Sequence, residues 1–174
     1  MKNQNLKRMV LTALFTALTC VATMLIQIQM PATQGYVNIG DCFVLLGAWV
    51  LGPIYGAFAG GVGSALADLL AGYPHYIAGT LIIKALMAVT AALLYRKLGK
   101  KNSYLGQLVG GVAAELWMVA GYFIYAMLIL GKGLAAATSI PGNLLQGAIG
   151  IVAAIALVAA LRESKTLEKV NVNG

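Results

Sequence analysis

Four ionisable side chains stand inside runs that are otherwise almost wholly apolar: Asp41, Asp68, Lys84 and Glu115. A charge held at mid-bilayer costs at least about 2.5 kcal/mol and persists where it is paired, hydrated or used. Amides and aromatics recur around them. Asn143 and Gln146 are three residues apart and share one helix face, and Tyr122 lies two turns beyond Glu115 on the same helix. Carboxylate, ammonium, amide and phenol groups in an apolar frame can hydrogen-bond and stack on a small polar solute.

The elements that position these groups follow from composition. The chain has 174 residues, 60% of them hydrophobic and 10% charged, with a mean hydropathy of +0.85. Soluble domains carry about a quarter charged residues. The expectation is one all-α integral membrane domain over residues 1–174, built as a six-transmembrane-helix bundle. The apolar runs and their breakers put the spans at residues 6–30, 39–51, 54–71, 76–95, 103–130 and 140–161. Gly52-Pro53 separates the second from the third, and Pro141 falls in the first turn of the sixth, where proline is tolerated. The second span is short: its length gives about 20 Å against a hydrocarbon core of about 30 Å. It is therefore either partly re-entrant or borrows from the loop before it, and both options put residues 36–41 beside something functional.

The net charge of +7 does not point to nucleic acid. Ten of the 12 basic residues form three clusters: Lys2, Lys7 and Arg8; Arg96, Lys97, Lys100 and Lys101; Arg162, Lys165 and Lys169. All three fall on one membrane face if both termini are cytoplasmic, the positive-inside pattern of a multi-pass membrane protein. Cys20 and Cys42 lie in or beside apolar segments and read as packing residues, and no metal site or cofactor is expected.

Helix rise gives approximate depths. Asp41 is at the outer mouth of the second span and Asp68 about one turn from the outer end of the third. Lys84 lies about 12 Å in from the outer end of the fourth, and Glu115 about 18 Å up the fifth from its inner end. Asn143 and Gln146 are within two turns of the outer end of the sixth. The groups converge in the outer half of the membrane, with no comparable polar set in the inner half. That asymmetry describes a cup open to the outside rather than a through-pore. The expected substrate contacts are Tyr36, Asn38, Lys84, Glu115, Tyr122, Asn143 and Gln146, with Tyr36, Trp117, Tyr122 and Tyr125 as a stacking wall.

Structural roles compete at several positions. Asp68 either pairs with Lys84 or meets ligand, and Glu115 either meets ligand or pairs with Lys84. Asp41 either caps the second span or lines the site; Asn143 either caps the sixth helix or binds. His75 and Tyr76 suit interfacial anchoring, and Trp117 suits packing or lipid. Small-residue pairs, Ala13/Ala17, Gly56/Gly60 and Gly106/Gly110, allow close helix approach. The glycine pairs fit packing within the bundle, whereas Ala13/Ala17 fit that or docking of another membrane subunit.

No catalytic motif is present: no HExxH, no P-loop, no GxSxG. If transport is active, its energy must come from a partner or an ion gradient. A stand-alone secondary carrier or channel is the alternative class.

The stretches Gly35-Tyr-Val-Asn-Ile-Gly-Asp41, Leu51-Gly-Pro-Ile-Tyr-Gly56, Ala67-Asp-Leu-Leu-Ala-Gly-Tyr-Pro-His75, Thr80-Leu-Ile-Ile-Lys84, Glu115-Leu-Trp-Met-Val-Ala-Gly-Tyr122 and Pro141-Gly-Asn-Leu-Leu-Gln146 together resemble the S component of energy-coupling factor (ECF) vitamin transporters. The similarity is nearest to the hydroxymethylpyrimidine or pyridoxine subgroup. The resemblance implies a substrate-binding subunit that captures a small vitamin beneath the loop after the first helix. It further implies docking through Ala13 and Ala17 on a transmembrane coupling subunit, and two cytoplasmic ATPase subunits that drive import.

Overall fold

Unbroken by proline or glycine, the first apolar run forms helix α1 (Lys2–Leu25). It stops earlier than expected. Gln27-Ile-Gln-Met30 alternates polar and apolar side chains, a period-two pattern, and forms strand β1 (Gln27–Met30). Strand β2 (Gly35–Asn38) returns antiparallel to it, in the register Gln27↔Asn38 to Met30↔Gly35. In this computed structural model, which describes residues 2–164 and their side chains from residue 4, the expected loop 31–38 is thus the tip and second strand of a hairpin. Gln34 turns the tip at a positive φ of 56°. Lys165 and Lys169 of the third basic cluster lie outside the described residues.

Helix α2 (Asp41–Leu51) is shorter than its expected span, with 11 residues. At 1.5 Å per residue it reaches about 17 Å. It is nearly all buried and packs against α1 and three helices that follow, α3 (Pro53–Leu70), α4 (Ile77–Leu98) and α6 (Ile140–Glu163). Gly52, at φ 84°, ends α2 in a conformation that excludes most side chains, and Pro53 starts α3 at once. The turn brings the two helices into backbone contact: a Cβ on Gly56 would lie 2.7 Å from Ala48 Cα. Gly60 faces Val44, and Gly106 and Gly110 face the backbone of Gly99 and Ala91. Both glycine pairs therefore serve packing within the bundle. Ala13 and Ala17, by contrast, are exposed on α1.

Helix α5 (Ser103–Ile124) widens into a π-helical turn (Tyr125–Ile129), and a 3₁₀ segment (Gly133–Ser139) leads into α6. Asn102 caps α5, its side chain accepting from Leu105 N–H at 3.1 Å. Four segments are long and apolar enough to cross a membrane: residues 4–25, 77–98, 103–129 and 133–163. That corrects the count of six spanning helices. Six α-helices are present, but α2 is too short to span, and α3 is diluted by four glycines and Asp68. Leucines and isoleucines such as Ile54, Leu81, Leu105 and Leu145 face outward, the apolar exterior a bilayer requires.

The half of the bundle away from the hairpin is not purely apolar. Gln107 is fully buried there, and neither its amide nitrogen nor its oxygen has a hydrogen-bond partner among the described residues. Where α4 and α6 end and α5 begins, Arg162 donates to Ser103 Oγ and, at 3.3 Å, to Tyr95.

Candidate functional site

The hairpin lies over one end of the bundle, where α1 and α3 finish and α4 and α6 begin, and roofs a cavity of about 470 Å³ including its open mouth. Local interactions hold the roof in place. Tyr76 donates to Thr33 O at 2.9 Å, a ring nitrogen of His75 lies 3.3 Å from Gln34 O, and Lys132 donates to Gln34 Oε1 at 2.8 Å. Tyr36 reaches down from β2 and donates to Asp68 Oδ1 at 2.6 Å while its ring meets Tyr73 at 4.7 Å. Burial, and then the Asp68 charge beside it, push the Tyr36 phenol far above its ordinary value, so it stays a donor.

Behind this roof a buried relay joins four elements. Lys84 on α4 forms an ion pair with Asp41 Oδ1 at the start of α2. Gln146 on α6 donates to Asp41 Oδ2 at 2.6 Å and accepts from the Asn38 backbone N–H at 2.6 Å. Asn38 in turn accepts from Gly40 N–H through its side chain at 2.8 Å, which fixes the chain as it enters α2. Tyr122 covers the ammonium, its ring centroid 5.5 Å from Lys84 Nζ, and donates to Thr80 Oγ1 at 3.1 Å.

Three sequence expectations are corrected here. Lys84 pairs with Asp41, neither with Asp68 nor with Glu115, because the buried first turn of α2 is carried to the depth of mid-α4. Asp41 does not cap its helix; Gly40 holds that position with no side-chain cap, and both Asp41 oxygens are committed to Lys84 and Gln146. Glu115 does not line the cavity. It is wedged deeper, against α6: a Cβ at Gly147 would fall 2.9 Å from Glu115 Cβ, and one at Gly150 3.0 Å from its Oε1 and from Asp41 Cβ. Both Glu115 oxygens lack a hydrogen-bond partner among the described residues.

Of the expected contacts, Tyr36, Asn38, Lys84, Tyr122, Asn143 and Gln146 meet in the cavity wall, together with Asp68. Asn143 stands one turn inside α6 and caps nothing. His75 is exposed at the roof, Trp117 is 44% exposed on the bundle's outer surface, and Tyr125 is tied to His75 O at 2.8 Å outside the cavity. The aromatic wall is therefore Tyr36, Tyr76 and Tyr122. Sequence reasoning missed Thr23, Thr33, Ser64, Thr80 and Ser139, which also line the cavity. A signal existed for Ser64 and Thr80, four residues before Asp68 and Lys84 and so on their helix faces.

A polar cup lined by hydroxyls, amides, tyrosines, the paired Lys84 and the Asp68 carboxylate can hold a small water-soluble molecule. Comparison with known proteins agrees in kind. Residues 3–163 match the protein family described as "ECF-type riboflavin transporter, S component". The thiamine precursor transporter HmpT of Lactococcus lactis subsp. cremoris is 33% identical over 156 residues, covering 88% of this chain and 87% of its own. An uncharacterized protein in the gap 3' region of Pyrococcus woesei is 41% identical over 133 residues, covering 76% of this chain and 86% of its own.

Proposed function

For this chain, which belongs to the ECF-type riboflavin transporter S-component family, we propose the role of substrate-binding subunit in the import of a hydroxymethylpyrimidine- or pyridoxine-like vitamin precursor. The lactococcal relative named as a thiamine precursor transporter carries the choice of substrate class. The roofed cavity, lined by hydroxyls, amides and three tyrosines, supports it. In this reading residues 1–174 form one domain in a prokaryotic plasma membrane with both termini cytoplasmic, α2 and α3 packed among the four longer helices that cross it. Tyr36, Asn38, Tyr122, Asn143 and Gln146 contact ligand, and Lys84 and Asp41 hold the cavity's inner wall. Ala13 and Ala17, exposed on α1, dock a transmembrane coupling subunit, and two cytoplasmic ATPases supply the energy.

The family description favours riboflavin as the second substrate reading. Native mass spectrometry of the purified protein separates the two by the mass of the retained ligand. Liposome uptake addresses the alternative class. Sustained accumulation by this chain alone under an ion gradient overturns the binding-subunit reading and makes it a secondary carrier; uptake that needs a coupling subunit and ATPases supports it.

A further inference from the structure

At the end of the bundle away from the hairpin, positive charge gathers without acidic partners. Arg96, Lys97, Lys100 and Lys101 close α4 and the turn after it, and Arg162 closes α6. The acid that adjoins them in sequence, Glu163, pairs with none of them among the described residues. Arg96 lies against Gly52 in the α2–α3 turn. Lys97, Lys100 and Lys101 are exposed, and their ammonium groups make no hydrogen bond or ion pair among the described residues.

Arg162 differs from the lysines in being half-buried. Its guanidinium meets hydroxyls rather than a carboxylate. One terminal nitrogen donates to both Ser103 and Tyr95, and the group lies 5.7 Å from the centroid of the Tyr104 ring. An ionised group taken partly out of water is ordinarily paired. Arginine carries five N–H donors in a fixed fork, so contacts through one nitrogen leave most of that fork unused and its charge uncompensated. Apolar surface continues from the patch. Leu93 lies one turn before Lys97 on α4 and Leu108 one turn after Tyr104 on α5, and all four are exposed.

We infer that this patch is a headgroup site for an anionic phospholipid, with Arg162, Lys100 and Lys101 holding the phosphate and the adjoining surfaces of α4 and α5 taking the acyl chains. A guanidinium fork matches two phosphate oxygens at once, and ammonium groups beside it add point charges. A bare phosphate or an acidic polypeptide would answer the charges but leave the adjoining leucines without a partner; a phosphodiester on a hydrocarbon tail answers both. With both termini cytoplasmic, as proposed above, the patch meets the leaflet whose surface potential is negative. The site is separate from the roofed cavity, which none of its residues lines.

The test is native mass spectrometry of the detergent-purified full chain, titrated with phosphatidylglycerol and with phosphatidylcholine of matched chains. Each basic side chain beside an anionic lipid surface contributes about fivefold in binding. Wild type should therefore retain phosphatidylglycerol at least tenfold more tightly than phosphatidylcholine, and Arg162→Gln should lose about fivefold of that. Because Arg162 also ties Ser103 and Tyr95, its variant has a companion that touches no packing: Lys100→Gln/Lys101→Gln should lose at least tenfold. Lys132→Gln removes a positive charge at the hairpin end and should stay within about twofold of wild type. No preference for phosphatidylglycerol in wild type overturns the site. A loss in Lys132→Gln equal to that in Lys100→Gln/Lys101→Gln overturns it too, since net charge alone would then govern. Displacement of the lipid by millimolar inorganic phosphate or by poly-glutamate overturns the lipid assignment in favour of a bare anion or an acidic chain. The substrate reading of the roofed cavity stands in every case.

Discussion

Replacing Lys84 by methionine removes the one cation from the buried relay and leaves Asp41 with only the Gln146 amide. Both members of the pair are almost inaccessible, 2% and 1% exposed at the side chain, so solvent cannot take over. Breaking a buried pair from one side costs about 3–5 kcal/mol, because the remaining charge stays desolvated. At about 2–4 °C per kcal/mol for a domain of this size, Lys84→Met should melt about 6–20 °C below wild type. The double variant Lys84→Met/Asp41→Leu tests the origin of that loss. It leaves neither member of the pair behind as an orphaned charge, only Gln146 without its acceptor, a deficit of about 1–3 kcal/mol. It should therefore recover part of the single variant's loss, although it carries more changes. Thermal unfolding of both variants in one detergent, followed by tryptophan fluorescence, provides the comparison. A double variant that melts as low as Lys84→Met, or lower, refutes the account, since the damage would then come from packing rather than from the orphaned carboxylate.

Other outcomes follow from the same geometry. Asn143→Ala, in the cavity wall, should weaken ligand binding at least tenfold with the melting temperature nearly unchanged. Glu115→Gln should leave affinity within about threefold, because the carboxyl lies under Gly147 and Gly150 and not in the cavity; calorimetry on the two variants side by side distinguishes these positions. Gly147→Ala pushes a methyl to 2.9 Å from Glu115 Cβ and should lower stability by about 1–3 kcal/mol through overpacking, read as a shift in the unfolding midpoint. Ala13→Leu/Ala17→Leu should abolish co-purification with a coupling subunit while ligand affinity holds. Retained co-purification would place docking elsewhere on the bundle.

Much of this architecture was legible because bilayer-facing helices announce themselves by length. The runs that became α4, α5 and α6 lie within a few residues of their expected bounds, and the short second span was already anomalous. The hairpin was hidden because Gln27-Ile-Gln-Met30 directly extends an apolar run, and four residues of alternation weigh little against twenty-five of hydrophobicity. The partner of Lys84 was hidden for a different reason. Helix rise gives depth only along an element whose ends sit at the interface, and α2 starts inside the protein. Asp41 was therefore read as shallow when its level is that of mid-α4. Thr23 had no sequence signal at all, since a threonine in an apolar helix ordinarily bonds to its own backbone.

The junction at Asn38 has a mechanical consequence. Its amide is donated to a glutamine whose other end grips the central carboxylate, so the last residue of β2 is stitched to the bundle's interior. The tip of the same hairpin is held by Tyr76, His75 and Lys132, the last two near the surface, where water can substitute. One end is riveted and the other latched. A lift of the tip about Asn38 would carry Tyr36, two residues from that junction, through a shorter arc than the tip itself, so a solute could pass the rim with the tyrosine still over Asp68.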